Sequence, residues 1–293
     1  MSKLFGSIEA GGTKFVCAGG NEELMILESA TFPTEKPEET LQQAVDFFKQ
    51  FGSSVVAIAV GSFGPIDIDR GSETYGFVTT TPKPHWANFD MIGFLKDQLY
   101  LPMFFTTDVN SSAFGEQLLD PSLKSLVYFT IGTGIGAGAI QDGEFIGGIS
   151  HAEMGHMFVK RHPEDLAFAG VCPYHGDCLD GVAAGASLEA RTGVRGENIR
   201  LDSHVWDIQA YYIAQAAVTT TLTLRPEKII FGGGVMAQEH MMQRVRKQFA
   251  ELLNDYVSVP ELSAYLQVPS IANNASATVG NLELAKREYD RNK

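Results

Sequence analysis

The stretch Ser150–Gly181, SHAEMGHMFVKRHPEDLAFAGVCPYHGDCLDG, gathers the side chains best suited to hold a metal. Cys172, His175 and Cys178 recur at every third position, and His156 precedes Cys172 by 16. Two thiolates and two imidazoles form a closed tetrahedral zinc set, in which the metal staples the chain and keeps no open position for chemistry. The alternative is a C-x-x-H-x-x-C loop that holds nothing, and the upstream His156 weighs against it. Glu153-x-x-His156 is not His-Glu-x-x-His, so a zinc peptidase gains no support. Glu153, Asp177 and Asp180 crowd the same stretch, more carboxylates than such a site needs. A metal that shapes a substrate-binding loop accounts for both. His151 and His162 read as surface or outer-sphere residues, and Cys17 as a small buried hydrophobe.

Two glycine tips could bind phosphate: Gly11-Gly12-Thr13-Lys14 and Gly132-Thr133-Gly134. Glycine lets backbone N–H groups approach an oxyanion without a Cβ in the way, and each threonine adds a hydroxyl donor. Neither tip is a P-loop. Gly132-x-Gly134-x-x-Ala137 fits the dinucleotide fingerprint loosely, but a returning strand follows where a helix is required. Either tip alone could be an ordinary tight turn; the pair favours phosphate. Gly232-Gly233-Gly234 follows a strand and is expected to open a helix whose N-terminus faces a ligand, with a plain strand-to-helix turn as the alternative. Asp108 lies at a strand end before a helix. It can serve as that helix's N-cap, or as a base that takes the proton of a substrate hydroxyl.

Regular elements must position these groups. Leu4–Ala10, Phe15–Ala18 and Leu24–Ser29 read as an antiparallel meander, with the first glycine tip between its first two strands. Pro37 opens a helix with Leu41, Ala44, Val45 and Phe48 on one face, and Gly52 closes it. Val55–Val60 reads as a strand covered on both sides. Pro82 and Pro84 break up Thr79–Asp90. Met91–Leu99 reads as a helix, Met103–Thr107 as a strand, and Val109–Leu119 as a helix. Leu126–Ile131 is the next strand, its return follows the second glycine tip, and a hairpin falls at Asp142-Gly143. Ser203–Leu224 reads as a helix, Lys228–Phe231 as a strand, and helices are expected around Gln238–Leu253 and Ala277–Tyr289. The two glycine-threonine tips stand 120 residues apart, about a domain length. Two α/β halves of like topology are expected, 1–120 and 121–276, with the helix 277–293 packing back on the first.

Composition narrows the function. A length of 293 residues and 44% hydrophobic content suit a two-domain globular protein. No apolar run is long enough to cross a membrane, and the start, MSKLFGSIEAGG, lacks the apolar core of a secretory signal. Three cysteines, two of them among histidines, argue for a reducing cytoplasm over a disulfide framework. A formal charge of −13 disfavours a nucleic-acid partner and leaves small anions open, because backbone amides bind them locally.

Gly11-Gly12-Thr13-Lys14, Thr107-Asp108-Val109-Asn110, Gly132-Thr133-Gly134-Ile135-Gly136, the Glu153, Gly155, His156 set and the run Cys172–Gly181 together resemble the ROK sugar kinases (repressors, open reading frames, kinases) over nearly the whole chain. CPYHGDCLDG, with a histidine as third ligand, is similar to the bacterial fructokinase branch, whereas glucokinases of the family more often have a third cysteine there. The resemblance implies a two-domain, actin-like (ribonuclease H-like) ATPase fold with its active site in the cleft. It implies ATP-dependent phosphorylation of a hexose, foremost D-fructose to D-fructose 6-phosphate, with Asp108 as general base. Asn88, Asp108, Glu153, His156 and Asp180 match sugar-contacting positions. Gly11, Gly12, Thr13, Lys14, Gly132, Thr133 and Gly134 match the phosphate loops, and Gly232, Gly233 and Gly234 lie where the family holds adenosine. His156, Cys172, His175 and Cys178 match zinc ligands; Mg2+ would accompany ATP, and a homodimer is implied. Glucokinase, mannokinase and N-acetylhexosamine kinase are the enzymatic alternatives. A sugar-sensing repressor would need a DNA-binding segment ahead of the first glycine tip, where none is expected, and a non-catalytic sugar-binding protein would lack Asp108. Three residues depart from the family pattern: Glu9 for aspartate, Thr107 for asparagine and Asp180 for glutamate.

Overall fold

The computed structural model describes residues 3–293. In chain order the elements are β1 (Leu4–Ala10), β2 (Lys14–Gly20), β3 (Ile26–Pro33), α1 (Pro37–Lys49), β4 (Val55–Ser62), a small ribbon of β5 (Phe77–Val78) and β6 (Phe89–Asp90), α2 (Met91–Leu99), β7 (Met103–Thr107) and α3 (Asp108–Leu118). There follow β8 (Ser125–Ile131), β9 (Ile135–Gln141), β10 (Glu144–Phe145), α4 (Leu179–Ala183), α5 (Gly185–Thr192), α6 (Val205–Thr223), β11 (Lys228–Gly232), α7 (Glu239–Leu253), α8 (Leu262–Tyr265), β12 (Leu266–Gln267) and α9 (Ser276–Arg291). Among the described residues no helix is long and apolar enough to cross a membrane.

The chain forms two compact units. The first runs to Pro121 and takes in Phe145–Ala152 and Ile271–Lys293; the second holds Ser122–Glu144 and Glu153–Ser270. Each carries a five-stranded sheet, in the orders β3-β2-β1-β4-β7 and β10-β9-β8-β11-β12. The pairings correspond: β1 is antiparallel to β2 and parallel to β4, as β8 is antiparallel to β9 and parallel to β11. The run Val55–Val60 reads as apolar throughout because β4 lies inside its sheet, and Val60, Ile58 and Ala57 are fully buried.

Several boundaries differ from expectation for local reasons. The third strand starts at Ile26, not Leu24. Asn21 Oδ1 accepts the N–H groups of Glu23 and Met25 and Leu24 takes φ +63°, so the chain is still turning there. The glycines of 136–138 belong to β9, which begins at Ile135. Phe145–Ala152 and Ile271–Ser276, expected in the C-terminal half, pack with the first unit. Phe145 meets Phe114, and Glu116 Oε1 accepts from Ile271 N–H and Ser276 Oγ.

Helix α9 lies on β1 and β4 and against α3. Buried Asn281 fixes it there. Its Nδ2 donates to Ser7 Oγ and Ile8 O, and its Oδ1 accepts from Ser111 Oγ at 2.6 Å. Arg70 adds a two-pronged ion pair to Glu288.

Candidate active site and metal centre

In the first unit, Asp108 is the first residue of α3, directly after β7. It is not the cap. Thr107 is, with Oγ1 accepting the Asn110 N–H, while Asp108 Oδ1 accepts from Val109 N–H. The N-cap reading of Asp108 is therefore corrected; its half-buried side chain stands at the N-terminus of α3. Ser111 and Asn281 pin the helix one turn further on.

The first glycine tip joins β1 to β2. Gly11 N–H donates to Lys14 O, and Thr34 holds both sides of the tip, Oγ1 to Gly11 O at 2.7 Å and N–H to Thr13 O at 3.0 Å. Gly12 and Thr13 stand exposed, and a Cβ on Gly12 would meet nothing within 4 Å. Glu9, two residues before the tip, has its carboxyl pushed up to about 7 by burial, with Lys14 drawing it part of the way back. Asn88 is exposed in a left-handed conformation, with its N–H on Thr79 O. Its irregular segment is anchored by Trp86, fully buried among Phe15, Phe63 and Phe89, with the indole N–H on Glu35 O.

In the second unit, one ligand atom each from His156, Cys172, His175 and Cys178 lie within 4.8 Å of one another. His156 Nδ1 stands 3.5 Å from Cys178 Sγ and 3.6 Å from Cys172 Sγ, and His175 Nδ1 3.8 Å from Cys172 Sγ. A tetrahedral zinc with ordinary bond lengths sets a sulfur-to-nitrogen edge of about 3.6 Å, so the four donors fit that ion. Without a cation, burial pushes the Cys178 thiol up to about 11, helped by Cys172 and Asp180 and opposed by the Gly181 N–H. Because Nδ1 of His156 faces the thiols, its Nε2 is the nitrogen turned elsewhere.

The loop around this cluster is braced by charge. Arg161 donates to Asp177 Oδ2 at 2.9 Å, and Arg191 forks onto buried Asp165, which also accepts from Tyr212 Oη. Asp177, which the sequence offers as a spare substrate-facing carboxylate, is thus a loop tether. His151, expected as a surface or outer-sphere residue, accepts the Ile66 N–H through Nε2 inside the first unit. His162 Nδ1 caps a short 3-10 turn at Glu164. Glu153 is exposed, and its carbonyl accepts the His156 N–H.

The second glycine tip lies near Asp180. Asp180 Oδ1 accepts the Ile135 N–H at 2.7 Å, Gly132 N–H donates to Gly134 O, and Gly185 N–H donates to Gly132 O. Gly232–Gly234 does not open a helix as expected; a turn follows it, and α7 starts at Glu239. Gly232 and Gly233 are required by packing, since Cβ atoms there would strike Tyr128 Oη and the Ile131 backbone, while Gly234 borders open space. The structure therefore groups the four metal donors, and groups Asp180 with the second tip. Sequence reasoning missed Thr34, Asn281 and the Arg161–Asp165–Arg191 network. Apart from the Arg161–Asp165 pair, their partners lie well apart along the chain, and the α3 cap had a local signal, in Thr107 three residues before Asn110.

The ROK family model matches residues 5–288. A fructokinase of Streptococcus mutans is 60% identical over 289 residues, covering 98% of this chain and 99% of that protein. One of Lactococcus lactis subsp. cremoris is 54% identical over 286 residues, covering 97% and 98%. A ROK hexokinase structure from Thermus thermophilus superposes with a TM-score of 0.76 at 21% identity, covering 99% of this chain and 100% of that one. A ROK glucokinase from Streptomyces griseus, in complex with glucose and AMPPNP, gives 0.74 at 22% identity, with coverage of 97% and 99%. The fold is that of the ROK sugar kinases, the actin-like ATPase architecture the motifs imply.

Proposed function

This chain belongs to the ROK family, and we infer that it is an ATP-dependent fructokinase, converting D-fructose to D-fructose 6-phosphate. The observation that carries this reading is identity of 54–60% to two fructokinases over almost the whole of each chain.

Within it, Asp108 is the general base. Thr107 supplies the helix cap, so the Asp108 carboxylate is not needed for capping and takes the proton of the C6 hydroxyl as that oxygen bonds to the γ-phosphorus. Gly11, Gly12, Thr13 and Lys14 bind phosphate oxygens through backbone N–H groups, a hydroxyl and a cation, as do Gly132, Thr133 and Gly134 without the cation. Gly232–Gly234 receives the adenosine at its open end, Gly234. Asn88, Glu153, His156 and Asp180 orient the sugar, His156 through Nε2. Magnesium accompanies the nucleotide and supplies charge neutralisation at the transferring phosphoryl group; Glu9 is the hard oxygen donor beside the first tip. Zinc, which the four donors fit, is structural and closed. The reading also places the protein in the cytoplasm as a homodimer.

An ADP-release assay across fructose, glucose, mannose and N-acetylmannosamine tests the reading. Fructose is expected to give the highest kcat/KM. Preference for another hexose would shift the assignment within the family, and no turnover on any of them would end it. Metal analysis of the purified protein should find one zinc per chain, and light scattering a dimer mass.

A further inference from the structure

Ile135, the first residue after the second glycine tip, is held from two directions by residues beside metal ligands. It is buried and stands opposite Ile131 at the end of the β8–β9 ladder. β8 borders Ile135 on one side, and β10, two residues long, follows the far end of β9 at Gln141. The Ile135 N–H goes to Asp180 Oδ1 at 2.7 Å. Its carbonyl lies so close to Gly155 that a Cβ there would collide with it.

Asp180 follows the ligand Cys178 by two residues, and Gly155 immediately precedes the ligand His156. Cys178 Sγ and His156 Nδ1 are 3.5 Å apart in the donor cluster. On the other flank of the tip, Gly132 O accepts from Gly185 N–H, just beyond α4. α4 itself has five residues and Cys178 as its N-cap position, with no side-chain cap bond. A helix of little more than one turn has almost no stability of its own, so what pins Cys178 also places Asp180.

We propose that the metal centre sets the geometry of the second phosphate hairpin, with Asp180 as the positioning residue that links them. This rests on reading Gly132–Gly134 as a phosphate loop, and it gives the zinc staple a role on the nucleotide side, separate from the sugar. Nucleotide affinity then depends on zinc even when no sugar is present. A staple that served the sugar alone would leave sugar-free nucleotide binding unchanged.

The experiment uses the full-length protein zinc-loaded, chelator-stripped, and as D180A and D180N, with zinc content measured for each. Magnesium-AMPPNP affinity is read by calorimetry without sugar, and the Ile135 amide by hydrogen exchange. Stripped protein and D180A are expected to lose Ile135 protection and bind about tenfold more weakly, the scale of one lost charge-assisted hydrogen bond. D180N keeps an acceptor oxygen and should retain protection and nucleotide affinity while the KM for fructose rises. D180A that keeps its zinc, its Ile135 protection and its nucleotide affinity would overturn the proposal and leave the kinase reading standing, even if the stripped protein fails to fold. Wild-type protein that binds no nucleotide would overturn both.

Discussion

The two glycine hairpins hold the same place in two sheets of the same strand order, yet they are supported differently. The first leans on its own sheet: the eight-residue strand β3 delivers Thr34, whose hydroxyl and N–H hold Gly11 O and Thr13 O. The corresponding strand of the second sheet, β10, has two residues and delivers nothing. Its hairpin is held by a carboxylate and a backbone N–H from the segment after the Cys/His cluster, Asp180 and Gly185. One topology thus accepts two supports, neutral and from the neighbouring strand in the first unit, ionic and from beside the Cys/His cluster in the second. Strand order alone does not say which loop will be rigid, because rigidity follows from what satisfies the hairpin's outward N–H and C=O groups.

The sharpest way to separate binding from chemistry is Asp108→Asn. Both hairpins should bind nucleotide as before, melting temperature should hold, and kcat should fall about 10²–10⁴-fold, the range for a lost general base. A kcat within a few-fold of wild type would remove Asp108 from the reaction. Zinc removal comes next and should break the symmetry between the units. A tightly held ion contributes about 4 kcal/mol at a thousandfold excess over its dissociation constant. Hydrogen exchange should therefore rise across β8–β9 and α4 while β1–β2 stays protected. Equal loosening of both hairpins would contradict the difference in support. Asn281→Leu is the converse. It removes the Asn281 partner of Ser7 Oγ and Ile8 O and leaves Ser111 Oγ with Thr107 O alone, and we expect about 2–3 kcal/mol of destabilisation by denaturant titration. The loss should fall on the first unit, and zinc content should be unchanged.

These cases show what the sequence made legible. The Cys/His cluster was readable as a group because Cys172, His175 and Cys178 lie within one short loop, and ligand chemistry restricts the residue types. The bounds of α2 and β7 were readable from apolar runs ended by polar or proline signals. Asp108 was ambiguous because Thr107 and Asp108 are both good caps, and only geometry shows which oxygen reaches the Asn110 N–H. Asp180 was read as a sugar contact, and nothing in its spacing announced a bond to a backbone N–H 45 residues away. Asn281 is separated from Ser111 by 170 residues, and a buried asparagine carries no periodic signal. Gly232 and Gly233 were read as ligand-facing, though packing against Tyr128 and Ile131 is enough to demand them. Residue type and near spacing encode candidate chemistry, whereas the partners of buried polar groups depend on the finished topology.

Glu9 tests the comparison from its mildest side, because each hairpin has one carboxylate beside it and the two are used differently. Asp180 accepts an N–H. The carboxyl of Glu9 is raised to about 7 from an ordinary 4.5, desolvation outweighing Lys14. A raised acid binds its proton more tightly folded than unfolded, so its contribution to stability is complete below about 4.5 and is lost as pH rises through about 7. At about 1.4 kcal/mol per pKa unit the difference amounts to about 3–4 kcal/mol. Glu9→Gln is neutral at every pH, so it should be more stable than wild type at pH 8 by that amount and lose the slope between about 4.5 and 7. Thermal melts of both proteins across this range measure it. Magnesium-nucleotide binding should move the opposite way in wild type, weakening as pH falls through about 7 and the carboxylate becomes a neutral acid, with no such step in Glu9→Gln. If the melts respond and the binding does not, Glu9 is a buried acid of the fold, and the first hairpin holds its phosphate through Thr13, Lys14 and backbone N–H groups alone.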